Sequence, residues 1–200
     1  MEPVITLNLI ALWLVVLLLL WLLLRLIRAK RAADQAAVPA LAPGKTEPLR
    51  GQRAPEFTAF TLDQQRVTHA DYFGHETLFI LLSTGCQHCR NVLPEIERVG
   101  QKLRQRGTQV ALVFAASADK VRAYCEEMDL TLPVLVAPSE STPFVRDYNR
   151  SRGVPAFVAI NSEGIVTHEG VVNRHEEAWR TLIREWQAYP ILTKSATWYR

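Results

Sequence analysis

Two hundred residues are room for one domain of ordinary size and an appendage, and the composition, 48% hydrophobic and 22% charged, is that of a globular chain everywhere but its N-terminal end. The formal net charge of +3 owes much to one cluster, Arg25, Arg28, Lys30 and Arg31. A cluster beside an apolar run suits anionic lipid headgroups better than nucleic acid, and no nucleic-acid partner is expected.

That apolar run comes first in the chain. Val4 to Leu24, "VITLNLIALWLVVLLLLWLLL", is apolar apart from Thr6 and Asn8. At about 1.5 Å per residue it is long enough to cross a hydrocarbon core of about 30 Å as a helix, so the sequence predicts one transmembrane helix over 4–24. A cleaved signal peptide would start with positive charge and carry a shorter apolar region. A buried soluble helix would keep a polar side, and here leucine covers every face. The basic cluster after the span would place the rest of the chain in the cytoplasm by the positive-inside rule. Residues 25–50 continue as a basic juxtamembrane segment and a linker rich in Ala, Pro and charge. A folded domain is expected over 51–188, with a tail of little pattern over 189–200.

From Gly51 onward, apolar runs alternate with amphipathic stretches, which predicts an α/β domain whose strands are covered by helices. The central strands are read at "TLFILLS" (77–83), "VALVFAA" (110–116) and "LPVLV" (132–136). Two further runs, "AFVAI" (156–160) and "IVTHE" (165–169), flank "NSEG", whose Asn and Gly suit a tight antiparallel connection. Between the strands, Val92, Leu93, Ile96, Val99 and Leu103 recur at helical spacing. Val121, Tyr124, Cys125 and Met128 do so after Asp119, a candidate N-cap, and Trp179, Leu182, Ile183 and Trp186 do so near the end. These stripes are read as core.

"TGCQHCR", Thr84 to Arg90, holds two of the three cysteines, two residues apart, where the first strand hands over to the first helix. This spacing puts both sulfurs on one helical turn, close enough to form a disulfide. The N-terminal sulfur meets unpaired backbone N–H groups and the helix dipole, both of which favour an anion. Cys86 is therefore the expected nucleophile, and Cys89 the more buried thiol that resolves a mixed disulfide with a partner. An imidazole at His88 can stabilise a thiolate at Cys86, which would make the disulfide a better oxidant; the bland alternative is a solvated histidine. Zinc would require two more ligands, and no second CxxC or closely spaced His pair supplies them. No metal or cofactor is expected. Cys125, on its core stripe, is read as a structural thiol.

Strand, turn with CxxC, helix, Pro94 five residues past Cys89, and "GVPAFVAINSEGIV" together resemble the thioredoxin fold. With "APEFTAFTLDQQRVTHADYFG" at the domain entrance, they are similar to the membrane-anchored thiol–disulfide oxidoreductases of the TlpA/ResA group, over roughly Gly51 to Gln187. The resemblance implies a central mixed sheet flanked by helices and disulfide exchange with protein dithiol or disulfide substrates and a redox partner. It further implies that Pro94 is a helix-kinking proline and that Pro155 is a cis-proline beside the disulfide. Val154 and Pro155 would then shape a substrate groove by offering backbone groups to an extended chain. Within the group, the apolar span and "GVVNRHEEAWRTLI" resemble the methylamine-utilisation MauD branch. CxHC pairs, and Val before the proline, resemble the oxidising relatives. A Trp usual before the first cysteine is replaced here by Gly85, which bears on substrate choice.

Two rival readings share the fold. A peroxiredoxin-like peroxidase resembles a PxxxTxxC pattern, and the corresponding positions here are Phe79 and Ser83, so its proline is missing. A non-catalytic peptide-binding or chaperone module would use the groove while its cysteines stayed joined. Location is contested as well. The flanking charges favour the cytoplasm, whereas disulfide chemistry and the resemblance favour an extracytoplasmic domain on a single-pass cell-membrane anchor.

Overall fold

The computed structural model describes residues 13–14, 16–23, 25, 47–138, 143–150 and 153–188. The chain divides into two units, Met1–Ala40 and Leu41–Arg200. In the first, the described residues are helical and exposed, with the Arg25 guanidinium 5.2 Å from the centre of the Trp21 ring. Among the described residues, no helix is long and apolar enough to cross a membrane. The remainder of the span expected over 4–24, most of the linker and the tail over 189–200 lie outside the described residues.

The second unit is organised around β3, Thr77–Leu82, "TLFILL", in which every residue is buried. A strand buried on both faces reads as a continuous apolar run, and it needs cover above and below. Its neighbours are β4 (Gln109–Phe114), which runs parallel to it, and β6 (Ala156–Ile160), which runs antiparallel. β5 (Val134–Val136) extends the parallel part beyond β4, and β7 (Val166–Val171) closes the other side against β6. The outer edge beyond β5 is a hairpin of β1 (Thr58–Thr61) and β2 (Arg66–Thr68), giving the order β2-β1-β5-β4-β3-β6-β7.

Helices α1 (Gln87–Gln105), α2 (Ala118–Met128) and α4 (Glu177–Ala188) contribute to the core on one face of this sheet. The parallel crossovers β3-α1-β4 and β4-α2-β5 step the same way along the sheet, so right-handed connections place both helices on one side. Close approach of α1 to the β5 entrance depends on Gly100, where a Cβ would stand 2.6 Å from Leu132 Cδ1. The other face is covered by Leu49, Phe57 and the short helix α3 (Phe144–Tyr148). An aromatic cluster fills it: Phe79 projects from β3 into the rings of Phe57, Tyr72, Phe144 and Tyr148, at centroid distances of 4.9 to 5.9 Å.

Three details differ from the sequence reading. The β1–β2 hairpin was not expected from the pattern, because strands of four and three residues bury only Ala59 and Val67 between them. The N-cap of α2 is Ser117, in extended conformation, and Asp119 sits inside the first turn, where a carboxylate still favours the helix dipole. The last strand runs on to Val171, because its partner β6 starts only at Ala156 and pairs it with Val171. The "NSEG" connection behaves as read. Gly164 takes φ +79°, and the Asn161 Oδ1 accepts from the N–H groups of Glu163 and Ile165 at 3.1 and 2.9 Å. Packing also reaches Leu49, which is buried and donates its N–H to Glu169 Oε1 at 2.6 Å.

Candidate redox site

β3 ends at Leu82, and the chain turns through Ser83 to Gly85 before α1 begins. The turn is closed by the Cys86 N–H, which donates to the Ser83 carbonyl at 3.2 Å. Cys86 is the N-cap of α1 in extended conformation, and its sulfur accepts the N–H of Cys89 at 3.1 Å. The first turn of a helix leaves N–H groups without partners, and here a cysteine sulfur occupies the place where a Ser or Asp oxygen usually stands. The expected geometry is therefore present: a partly exposed sulfur at the helix start and a second cysteine one turn in, fully buried.

The two thiols differ in kind. Burial pushes the Cys89 thiol up to about 12, and a hydrogen bond with the Cys86 side chain adds to the shift. Cys89 is thus protonated in the resting dithiol and in contact with its neighbour. Pro94 lies inside α1, where its missing N–H leaves the carbonyl four residues earlier without a helical donor.

From the opposite side, the loop before β6 reaches the pair. The Val154–Pro155 peptide bond is cis, and the Val154 carbonyl lies 3.7 Å from the Cys86 sulfur. The Pro155 carbonyl accepts from Val172 N–H at 2.9 Å, and the Gly153 carbonyl accepts from Asn149 Nδ2 at 3.0 Å. The carbonyl of Pro155 is thus already engaged in the sheet.

Cys86, Cys89, Val154 and Pro155 come together; His88 does not join them. Its side chain is exposed on the first turn of α1 and makes no hydrogen bond or ion pair among the described residues. Gly85 is exposed, and a Cβ there would meet nothing within 4 Å, so the surface beside Cys86 is open. Cys125 is partly buried against the core, with its thiol pushed up by burial. His168 is buried 3.4 Å from Glu185, and burial lowers its pKa. Among the described residues, no three His, Cys, Asp or Glu side chains gather as a metal site would need.

Beside the pair lies a residue that periodicity marked only as core. Tyr124, from α2, is buried with Cys89 in the same cluster, and its ring lies against Phe114 at 5.5 Å. The Arg90 guanidinium sits 4.9 Å from the centre of that ring and is held there by Glu127, with Arg90 Nη2 donating to Glu127 Oε2 at 3.0 Å. The Tyr124 hydroxyl has no hydrogen-bond partner among the described residues. A stripe at helical spacing reports the burial of a ring and says nothing of its polar tip.

Comparison with known proteins agrees with this arrangement. The family model described as Redoxin matches residues 49–182. The chain is 28% identical over 131 residues to the thioredoxin-like protein YneN of Bacillus subtilis, covering 63% of this chain and 75% of that one. Among solved structures, the thioredoxin domain of a thiol-disulfide oxidoreductase from Bacteroides vulgatus superposes with a TM-score of 0.58 at 17% identity, over 70% of this chain and 99% of that one. A thiol:disulfide interchange protein of the thioredoxin family from Chlorobium tepidum gives 0.55 at 21% identity, over 70% and 98%. At such identities these structures speak for the fold alone.

Proposed function

The chain belongs to the Redoxin family and is a thiol–disulfide oxidoreductase of thioredoxin-like fold, and from that premise we propose that it exchanges disulfides with protein partners through Cys86 and Cys89, as an oxidant or isomerase. The observation that carries the reading is the asymmetry of the pair. One sulfur is partly exposed, caps the helix and faces the Val154 carbonyl; the other is buried, protonated and hydrogen-bonded to the first.

The asymmetry supports one order of events. In the oxidising direction a partner thiolate attacks the Cys86 sulfur of the Cys86–Cys89 disulfide, because that sulfur alone is open to solvent. The Cys86–partner bond forms, the Cys86–Cys89 bond breaks, and Cys89 takes the electron pair. A second partner thiolate then attacks the partner sulfur of the mixed disulfide, and Cys86 leaves with its electrons. The partner has lost two electrons and the protein has gained them. Val154 aligns the partner by main-chain hydrogen bonds, as an added strand. The peroxidase alternative is disfavoured because Phe79, at the position of the missing proline, is locked in the aromatic core.

The CQHC pair, which resembles those of oxidising relatives, supports the oxidising direction. Equilibrated with glutathione mixtures, the protein is expected to show a reduction potential above the roughly −270 mV of a thioredoxin, with His88→Ala moving it toward the reducing side. A thioredoxin-like value unaffected by that change would reject the oxidant assignment.

We place the domain outside the cytoplasm on an N-terminal anchor over 4–24, against the basic cluster that follows it, because disulfide formation proceeds in oxidising compartments. The MauD-like segments point to the maturation of a disulfide-rich partner subunit. A reporter active only outside the cytoplasm, fused after Arg200, is expected to be active; silence would make the domain cytosolic and its role reductive.

A further inference from the structure

A thiol held near 12 needs help to become a thiolate at neutral pH, and it must do so each time it attacks or leaves. Among the described residues, no carboxylate acts on Cys89; burial, Cys86 and backbone groups account for its shift. The one uncommitted polar group in its surroundings belongs to Tyr124, which is nine-tenths buried or more and packs in the same cluster as Cys89. Leaving a buried hydroxyl unpaired is destabilising, so its presence beneath Arg90 in this cluster asks for a use.

We propose that Tyr124 is the hydrogen-bond donor reserved for the Cys89 thiolate, unpartnered in the resting dithiol and engaged when Cys89 carries charge. This deepens the disulfide-exchange reading and rests on it. In the resting state the Cys89 thiol is already hydrogen-bonded with Cys86, so the phenol has nothing to bind. Once Cys86 is tied up in a mixed disulfide, that contact is lost.

Cys89 then gives its proton to water, and its sulfur attacks Cys86. The Cys86–Cys89 bond forms, the Cys86–partner bond breaks, and the partner sulfur departs with the electron pair. The phenol keeps its proton throughout and donates a hydrogen bond to the charged sulfur. Arg90, stacked on the ring and anchored by Glu127, adds a positive charge on the same side. The charged and titratable groups that act on Tyr124 are Arg90, Cys89, Cys86 and Glu127. Burial raises its own pKa, which keeps it a donor through the working range.

The test is single turnover from a preformed mixed disulfide between Cys86 and glutathione, following glutathione release across pH in wild type and Tyr124→Phe. The variant is expected to release glutathione about ten-fold more slowly at neutral pH, with its rate profile displaced to higher pH and the same limiting rate in alkali. Its resistance to denaturant should equal or exceed wild type, since an unpaired hydroxyl is removed and the ring is kept. Superimposable profiles, a slowing that is uniform with pH, or a loss of stability would each overturn the assignment. If wild type itself retains glutathione at every pH, the exchange reading fails with it; if only the variant's difference is missing, Tyr124 alone is at fault.

Discussion

Replacing Cys89 with alanine is expected to convert the protein into a trap that accumulates covalent mixed disulfides through Cys86 while turnover falls at least about a thousand-fold. The magnitude follows from proximity. A thiol fixed one helical turn away acts at effective concentrations of about 10⁵ M or more when well oriented, whereas an external thiol that could rescue the complex is present at roughly millimolar levels. The gap leaves room for imperfect alignment and still gives a large loss. Non-reducing electrophoresis of cells expressing the variant should show adducts that collapse with reductant and vanish in the Cys86→Ala, Cys89→Ala double variant. A binding module with a structural disulfide would give no adducts, and adducts persisting in the double variant would assign the chemistry to Cys125.

The second large effect is on stability. Phe79→Ala is expected to cost about 3–5 kcal/mol, the range for deleting a buried aromatic ring. Phe79 is fully buried, and its ring meets four others edge-on, so the neighbours are fixed by one another and collapse poorly into the space. It lies on the strand that delivers Cys86, so loosening it also loosens the turn that holds the sulfur. Urea unfolding should show a lower midpoint at an unchanged slope. Phe73→Ala, at a side chain 58% exposed, should stay within about 0.5 kcal/mol of wild type. Equal effects from the two would mean that the aromatic cluster does not carry this face of the sheet.

How far the residues alone could lead is clearest by comparing neighbours. β3 was legible because five consecutive apolar residues, Leu78 to Leu82, between turn signals can only be a strand buried on both faces or part of a helix, and the cysteines just after it decided which. α1 was legible from a stripe, Val92 to Leu103, that persists over about three turns. The hairpin at the domain entrance was not, since β1 and β2 are held by pairing with each other and with β5, a contact between residues 60 and 136 that no local pattern encodes. Ser117 and Asp119 are both good capping residues two positions apart, so composition alone does not separate them, and the helix begins after the first.

At the site the same division holds. Spacing pointed to the cysteines, and the resemblance placed Val154 and Pro155 beside them. What remained hidden was set by distances through space: the Val172 N–H that occupies the Pro155 carbonyl, the outward direction of His88, and the unpaired Tyr124 hydroxyl beneath Arg90.

The claim on which all of this rests is that Cys86 and Cys89 form and break a disulfide with each other as a unit. It is tested most directly by equilibrating the protein across a ladder of glutathione ratios, alkylating free thiols and mapping the products by mass spectrometry. The account predicts a single two-electron transition in which Cys86 and Cys89 become protected together while Cys125 is alkylated at every ratio. Cys86 and Cys89 remaining alkylated up to the most oxidising ratio, or either one pairing with Cys125 in place of the other, would contradict it.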